Sequence, residues 1–329
     1  MYVKDDNRLQ HPLKKILQWL DPLLAEKQTI STKERVAISN ISNELSLVAM
    51  NHTHESTEIL DATSLQFDTV NNLSLIMPGI INKHHLEDMP AYYLLEPDDY
   101  QIFLIESLPV AQDEIYDALG WRLRTLLSYP LEDAVIDYFM LPPKKNATSP
   151  MVVGIVAKKS RLLEISDWFD KINMPLQMIY IPELAMRNLS SLYEDDDKST
   201  CILYFYDKGI ILNITRNKSI YFTYRLNKPV IEETNNLKYE EICLNIMRYF
   251  DYFQAQWRYP SPNRVFVISH DHHEEIAKSL SEHLLLTVSV YQPKFNLIDQ
   301  QQLKKINNKC LLALGCALYD NGKYVKSGS

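Results

Sequence analysis

Glycine is scarce in this chain: only 7 of the 329 residues are Gly, whereas average usage in proteins is about 7%. Loops that wrap backbone N–H groups around a phosphate depend on glycine, because a side chain there blocks close approach. The sequence contains neither a Walker-type nor a Rossmann glycine pattern, and no Gly-Gly pair. These absences argue against the common classes of nucleotide-dependent enzymes.

Other absences narrow the class of protein further. Four cysteines without metal-ligand spacing predict reduced, buried thiols in a cytosolic protein. Lys and Arg are scattered along a chain of net charge −8, so no nucleic-acid-binding surface is predicted. The longest apolar runs are about half the length of a membrane-spanning helix, and the first residues lack a signal-peptide layout. We therefore expect a cytosolic protein that does not itself span a membrane.

The most specific segment of the sequence covers residues 118–142. It begins with a predicted helix whose apolar stripe consists of Ala118, Trp121, Leu123, Leu126 and Leu127. Arg122 and Arg124 are predicted on the solvated side of this helix. Tyr129-Pro130 ends the helix, because a residue that precedes proline is pushed out of the α region. A strand over 133–141 follows, and the composition indicates packing and a partner surface rather than substrate binding.

The architecture is predicted to repeat. Three short strands joined by polar turns are expected at 36–40, 45–50 and 58–67, and again at 201–206, 210–215 and 220–226. The second group is followed by predicted helices at 239–256, 272–283 and about 300–319 and by strands at 264–269 and 285–291. Between the groups, strands are predicted at 101–106, 133–141 and 151–157, with a helix at 112–127. Mixed sheets flanked by helices follow from this pattern.

Four segments, in order, resemble the MshI/PilM family, cytoplasmic components of type IV pilus assembly. The segments are 118–142, 181–189, 241–253 and 313–318. In the first, the matching residues are Leu119, Trp121, Arg122, Leu126, Tyr129, Pro130, Glu132, Asp133, Ala134, Val135, Asp137 and Tyr138. Tyr249 departs from the family pattern, which has a small residue there. The resemblance covers about residues 36–318.

This resemblance implies an actin-like α/β fold, in which two duplicated ribonuclease H-like domains surround a cleft and the first carries a small inserted subdomain. The implied domain 1 spans 33–197, with the insertion at about 98–158. Domain 2 spans 198–304, and a C-terminal helix and tail span 305–329. Residues 1–32 are predicted, from apolar residues at helical spacing, to be a helical extension whose apolar face packs on the body. A membrane-surface or partner helix is the alternative.

Actin-like ATPases hold phosphates between two hairpin turns, each with an Asp-x-Gly-Thr/Ser motif. In the first turn of this sequence, Ser39 and Ile41 stand about where Asp and Gly belong, so a branched side chain is expected at the phosphate position. In the second turn, Asp207 and Gly209 lie after the strand and Tyr206 crowds the approach, so a type I′-like hairpin turn is predicted. We therefore expect neither catalysis nor a bound cofactor, and binding of ATP without hydrolysis stays open.

Histidine clusters are the nearest approach to a metal site. Residues 270–274 read His-Asp-His-His-Glu, and His52/His54 and His84/His85 form smaller clusters. Because no further ligands held by packed structure can be identified, a polar strand-to-helix loop is favoured, with Asp271 capping the helix and His273 exposed. No metal is expected.

The resemblance also implies a function: a non-catalytic cytoplasmic scaffold, peripheral to a bacterial inner membrane, for assembly of a type IV or mannose-sensitive-haemagglutinin (MSHA) pilus. The implied partner is a PilN-like inner-membrane protein, whose short cytoplasmic peptide docks in a groove beside the inserted subdomain. The groove residues carried over are Trp121, Leu126, Tyr129 and Pro130. Homo-oligomerisation stays open.

Two alternatives stay open as well. The first is an active actin-like ATPase or sugar kinase, against which the missing glycine loops argue. The second is the cytoplasmic domain of a type II secretion protein of the GspL kind. Such a domain shares the fold, and its natural chain would continue past Ser329 into a spanning helix.

Overall fold

A computed structural model of the chain describes residues 34–52, 57–67, 70–105, 110, 114–145, 151–193, 198–227, 237–294 and 306–319. The predicted N-terminal extension lies outside the described residues. The same holds for residues 295–305, in which the predicted last helix begins.

The bounds of the elements are as follows. The strands are β1 (Glu34–Ile41), β2 (Glu44–His52), β3 (Thr57–Gln66), β4 (Ala91–Leu94), β5 (Tyr100–Ile105), β6 (Ala134–Leu141), β7 (Met151–Lys158), β8 (Leu176–Tyr180), β9 (Thr200–Tyr206), β10 (Gly209–Arg216), β11 (Ser219–Asn227), β12 (Arg264–Ser269) and β13 (Val288–Val290). The α-helices are α1 (Val70–His84), α2 (Ile115–Leu123), α3 (Lys159–Lys171), α4 (Pro182–Ser191), α5 (Leu237–Trp257), α6 (His273–Leu284) and α7 (Leu311–Ala317). Single 3₁₀ turns lie at Pro97–Asp99, Leu131–Asp133 and Asn308–Cys310.

Two five-stranded mixed sheets repeat one strand order along the chain. The first sheet has the order β3-β2-β1-β4-β8 and the second has the order β11-β10-β9-β12-β13. In each, an antiparallel three-stranded meander is extended by two parallel strands on the side of its first strand. The two meanders lie where short strands joined by polar turns were predicted.

Helices α4 and α7 pack against each other within a core shared by both large sheets. Almost every residue of both helices is buried, as expected for helices enclosed on all sides. Their axes come close at Gly315, where an added Cβ would lie 2.4 Å from the carbonyl oxygen of Ala185. The Asn188 side chain donates to the Gly315 carbonyl over 2.8 Å. A glycine is therefore required at this crossing.

A small antiparallel sheet, with the order β5-β7-β6, forms the inserted subdomain. Helix α2 covers one face, where Leu119 and Leu123 pack with Tyr138 and Val152. The opposite face, which includes Phe139, joins the main core. This sheet is therefore held from both sides.

The loop after β6 connects the small sheet to the second half of the chain. The Nε1–H of Trp257, the last residue of α5, donates to the carbonyl of Pro142 over 3.0 Å. The backbone N–H of Lys145 donates to the Gln256 carbonyl over 3.3 Å. The inserted subdomain thus contacts the helix that follows the second meander.

Two elements lie in a stretch, 70–99, to which the sequence pattern assigned no structure. Helix α1 contains Pro78 and Gly79, which obscure its pattern because both residues disfavour helix interiors. Strand β4 is only four residues long and entirely buried, so no alternation marks it.

Candidate functional site

The first hairpin turn, between β1 and β2, is formed without glycine. Ser42 and Asn43 have φ values of 57° and 58°, the left-handed pair that a type I′ turn requires. Ile41 is buried in the core, so the expectation that its side chain stands at a phosphate position was wrong. Glu44, also buried, accepts a hydrogen bond from Lys309 Nζ at 2.6 Å. This turn presents a carboxylate, already paired, rather than a phosphate cradle.

The second hairpin turn, between β9 and β10, has different backbone chemistry. Neither Asp207 nor Lys208 has a positive φ, so the predicted type I′-like turn was wrong. A Cβ at Gly209 would lie 2.4 Å from the Leu226 carbonyl oxygen, which makes glycine necessary for the approach of β10 and β11. The only glycine of this turn therefore serves strand packing. Lys208 is exposed and donates to Asp98, near the start of β5.

Both turns face a common region, here called the cleft, at the ends of β4 and β12. His270, just after β12, has its pKa lowered by burial, with Glu44 and Asp207 among the carboxylates that oppose this shift. The pKa of Glu96, just after β4, is raised to about 7 by burial and by the nearby Asp99 carboxylate. Burial also raises the pKa of Tyr204, and Asp207 and Glu96 add to that rise. Carboxylates from both halves thus lie around the cleft, and like charges repel.

A buried ion pair joins the two halves beside the cleft. Glu183, at the start of α4, is fully buried, and its Oε1 accepts from Arg225 Nε at 3.0 Å and from Nη2 at 2.9 Å. The Tyr100 hydroxyl donates to the other carboxylate oxygen. Arg225 also donates to the Pro97 carbonyl over 2.5 Å, and its guanidinium lies 4.2 Å from the centre of the Tyr100 ring. The edge strand β11 is therefore fixed to the first half.

The histidine clusters are dispersed in the fold. Among the described residues, no three His, Cys, Asp or Glu side chains are arranged to hold a metal ion. The prediction that Asp271 caps α6 was wrong. The N-cap residue is His272, which has a φ of 54° and makes no side-chain cap hydrogen bond. His273 is half-buried rather than exposed. His84 pairs with Asp61, and the side chains of the His52/His54 cluster lie outside the described residues.

The cysteines are buried and free, as predicted. They are Cys201, Cys243, Cys310 and Cys316. Burial raises the pKa of Cys243 and Cys310 to about 11, so both thiols are protonated at neutral pH.

A groove of about 690 Å³ runs between helix α2 and strand β6 of the inserted subdomain. Its lining residues are Tyr116, Asp117, Gly120, Trp121, Arg124, Leu131, Glu132, Ala134, Val135, Ile136 and Lys159. The helix contributes one face, since Asp117, Gly120, Trp121 and Arg124 follow a spacing of three, four and seven residues. The Asp117 end is acidic, whereas Arg124 and Lys159 place two cations at the other end beside Glu132.

Trp121 is 77% exposed, which corrects the predicted apolar stripe of α2. The helix buries Leu123, which the predicted stripe included, together with Ile115 and Leu119, at a spacing of four residues. Trp121 therefore belongs to the same solvated face as Arg124. A tryptophan exposed to this extent beside a groove is a common feature of interaction sites.

The structure brings one of the four predicted groove residues into the groove. Trp121 lines it, whereas Leu126, Tyr129 and Pro130 lie in the loop that connects α2 to β6. Leu126 is 57% exposed, and Tyr129 is half-buried with Lys158 Nζ 5.3 Å from its ring centre. The other lining residues of α2 were missed, although the spacing of Asp117, Gly120 and Arg124 around Trp121 is visible in the sequence.

No helix among the described residues combines the length and apolarity needed to cross a membrane.

Comparison with known proteins finds likeness in structure alone. No family model and no curated protein matches the sequence. A solved structure of the PilM-PilN type IV pilus biogenesis complex contains a chain that superimposes with a TM-score of 0.69 at 14% identity, covering 87% of this chain and 98% of that one.

Two further solved structures are similar. The cytoplasmic domain of EpsL, an inner-membrane component of the Vibrio cholerae type II secretion system, matches with a TM-score of 0.51 at 10% identity, covering 89% of this chain and 97% of that one. A Bacteroides thetaiotaomicron protein with an actin-like ATPase fold and unknown function matches with a TM-score of 0.49 at 9% identity, over 85% of this chain and 98% of that one. The duplicated sheets and the likeness to the PilM-PilN structure confirm the predicted fold: the chain is a two-domain, actin-like α/β protein with a small inserted subdomain in its first domain.

Proposed function

We propose that this protein is a non-catalytic scaffold of type IV pilus assembly, located at the cytoplasmic face of a bacterial inner membrane. Its groove between α2 and β6 binds the short cytoplasmic tail of a PilN-like membrane protein. The observation that carries this proposal is Trp121, exposed beside a 690 Å³ groove in the inserted subdomain. The likeness to the PilM chain of a PilM-PilN complex supports the choice of partner, and an MSHA-type pilus is the specific assembly that the sequence resemblance favours.

The absence of catalysis is part of this proposal. The Ser42-Asn43 turn has side chains at both central positions, and Gly209 is committed to packing against Leu226. Asp207 and the partly ionised Glu96 carboxylate add negative charge to the cleft. A triphosphate would meet repulsion there instead of a ring of backbone N–H groups.

The test of partner binding uses a synthetic peptide of the cytoplasmic tail of the inner-membrane protein encoded beside this chain's gene. Isothermal titration should show binding to the intact chain, and Trp121→Ala should weaken it at least about tenfold, as expected for a central aromatic anchor. Leu75→Ala is the matched control, because Leu75 is equally exposed but lies on α1, away from the groove. Binding that Trp121→Ala leaves unchanged would refute the groove.

The test of catalysis is separate. Incubation with Mg²⁺ and ATP should release no phosphate above the buffer rate, and ATP should not raise the melting temperature. Phosphate release that Asp207→Asn abolishes would establish an active actin-like ATPase or kinase, which is the alternative function.

A second candidate is the cytoplasmic domain of a GspL-type secretion protein, which the likeness to EpsL favours. The full-length gene distinguishes the two. A membrane-spanning helix encoded after Ser329 would support the secretion protein, and its absence would support the pilus scaffold.

A further inference from the structure

Strand β6 lies at the edge of the small sheet, and its outer side opens into the groove. Among the described strands, β6 pairs only with β7. The groove is lined by three consecutive residues of β6, Ala134, Val135 and Ile136. Side chains alternate between the faces of a strand, so contact with three in a row means that the groove runs along the strand's edge.

Two hydrogen bonds establish which backbone groups of β6 point away from β7. The N–H of Ala134 donates to the Leu131 carbonyl of the preceding 3₁₀ turn. The N–H of Tyr138 donates to the Asp137 carboxylate at 2.7 Å. Both are even-numbered residues, and backbone groups alternate in direction along an antiparallel strand. The N–H and C=O of Ile136, which lies between them, therefore point outward into the groove.

The open edge is short. At one end the 3₁₀ turn Leu131–Asp133 occupies the Ala134 N–H, and at the other the Asp137 carboxylate occupies the Tyr138 N–H. The Tyr116 hydroxyl holds that carboxylate from α2 at 3.1 Å. Proteins commonly blunt exposed edges with charged side chains. Here the N–H groups of Ala134 and Tyr138 are occupied, and the main-chain groups of Ile136 between them remain available, a position called the window below.

Helix α2 provides a wall beside this window. Gly120 lies on this side of the helix and has no side chain. A Cβ added there would make only ordinary contact with the Leu131 side chain, at 3.6 Å. Trp121 stands next to it and is exposed. The site thus combines main-chain groups of Ile136 that have no partner among the described residues with an apolar surface, which are the two elements of peptide recognition by strand addition.

We propose that the groove binds an extended peptide segment as a fourth strand of the small sheet, hydrogen-bonded to the main chain of Ile136 and anchored by an apolar side chain against Trp121. This inference rests on the proposed function only for the origin of the peptide, a partner's tail. The segment presents apolar side chains at alternate positions on the α2 side. Its cationic end meets Asp117, and its anionic end meets Arg124 and Lys159.

The experiment compares Ile136→Pro with Ile136→Ala. Proline removes the outward N–H but no bond of the β6–β7 ladder, which is why an edge strand tolerates it. Alanine keeps that N–H and removes the same side chain. Strand addition predicts that Ile136→Pro weakens peptide binding at least about tenfold relative to Ile136→Ala. Circular dichroism melting confirms that both variants fold.

A second measurement leaves the protein unchanged. Each backbone N–H of the peptide is replaced in turn by N-methyl. Strand addition predicts that affinity falls at alternate positions and is retained at those between, because only every second N–H faces the edge. A helical or irregular bound peptide would not show a period of two.

Two peptide sources separate this inference from the proposed function. One is the cytoplasmic tail peptide used above, and the other is a set of linear decamers selected on the protein from a phage-displayed library. If the tail fails but the decamers show the alternation and the Ile136→Pro loss, strand addition stands and the proposed partner falls. If the tail binds through Trp121 without alternation, and Ile136→Pro equals Ile136→Ala, strand addition is overturned. Failure of both peptide sources to bind also overturns it.

Discussion

The two large sheets have the same strand order but differ at the hairpin turn that faces the cleft. In the first sheet, Ser42 and Asn43 adopt left-handed conformations, and the following Glu44 is buried against Lys309. In the second sheet, the central turn residues have ordinary φ values and Lys208 remains exposed. Strand pairing therefore preserves the architecture, while a few turn residues decide the chemistry of the cleft. A fold shared with ATPases says little about catalysis unless these residues are considered.

The edge strands β11 and β3 occupy equivalent places in the two large sheets. Removing the ion pair of each strand should change the free energy of unfolding by very different amounts, and this is the largest difference that we expect. Arg225→Met removes the cationic partner of the fully buried Glu183. Loss of one partner of a buried pair is expected to lower the free energy of unfolding by about 3–5 kcal/mol. Urea denaturation measures it.

The matched variant in the first half is Asp61→Asn, which removes the more exposed pair with His84. We expect a loss of less than about 1 kcal/mol. The double variant Arg225→Met with Glu183→Gln should recover part of the loss, since it no longer leaves a buried charge. Equal losses in the two halves would contradict this comparison.

The second prediction compares helical glycines of the two halves. Gly315→Ala forces a methyl group against the Ala185 carbonyl, so we expect destabilisation of about 1–3 kcal/mol from overpacking. Gly79→Ala in α1 meets nothing within 4 Å and should stabilise the protein by about 0.5–1 kcal/mol, because alanine is the better helix former. Thermal melting distinguishes the opposite signs. A stabilising Gly315→Ala would disprove the close crossing of α4 and α7.

The third prediction concerns the two cleft turns directly. Lys309→Met leaves the buried Glu44 carboxylate without this partner and should cost about 1–3 kcal/mol. Lys208→Met removes an exposed pair with Asp98 and should leave the urea midpoint unchanged. Equal shifts of the urea midpoint in the two variants would show that the burial of Glu44 does not make its ion pair more important for stability than the exposed pair of Lys208.

The last prediction concerns the ends of the equivalent strands β4 and β12. The folded pKa of Glu96 is raised to about 7 from an ordinary 4.5, by burial and Asp99. The folded protein therefore binds more protons than the unfolded chain between these values, and stability from this group falls as the pH rises through 7. Asp98 also raises this pKa, whereas Arg161 and Lys208 lower it.

Glu96→Gln removes that dependence. We expect it to raise the melting temperature at pH 8 and to change it little at pH 4.5. His270 acts in the opposite sense: its lowered pKa favours the neutral ring, so its contribution is present above pH 6.5 and is lost as the pH falls. A Glu96→Gln variant with the parent's pH profile would rule out the buried, partly protonated carboxylate.

Local patterns in the sequence were sufficient to predict the two meanders and the duplication of the sheets. Short, nearly continuous apolar runs mark β9 and β10, and polar pairs such as Asn217-Lys218 mark the turns of this meander. Such signals lie within about ten residues, so a single sequence carries them.

The contacts that define the candidate site are long-range and have no such signal. Arg225 and Glu183 are 42 positions apart, and the crossing of Gly315 over Ala185 depends on the packing of two distant helices. Trp121 was assigned to the packed side of α2 together with Leu123 because its apolarity indicated burial, whereas the tertiary fold buries Leu123 and Leu119 and exposes Trp121. Apolarity predicts burial only on average, and binding surfaces are the exceptions.

The anchoring of β6 has a mechanical consequence. Its far end is held by Trp257 at the Pro142 carbonyl, and its length is bonded to β7. A pull applied near Ala134 loads this strand along its axis, where the ladder resists in shear rather than peeling open one bond at a time. Tension entering through the inserted sheet therefore has a direct route to α5 through these contacts.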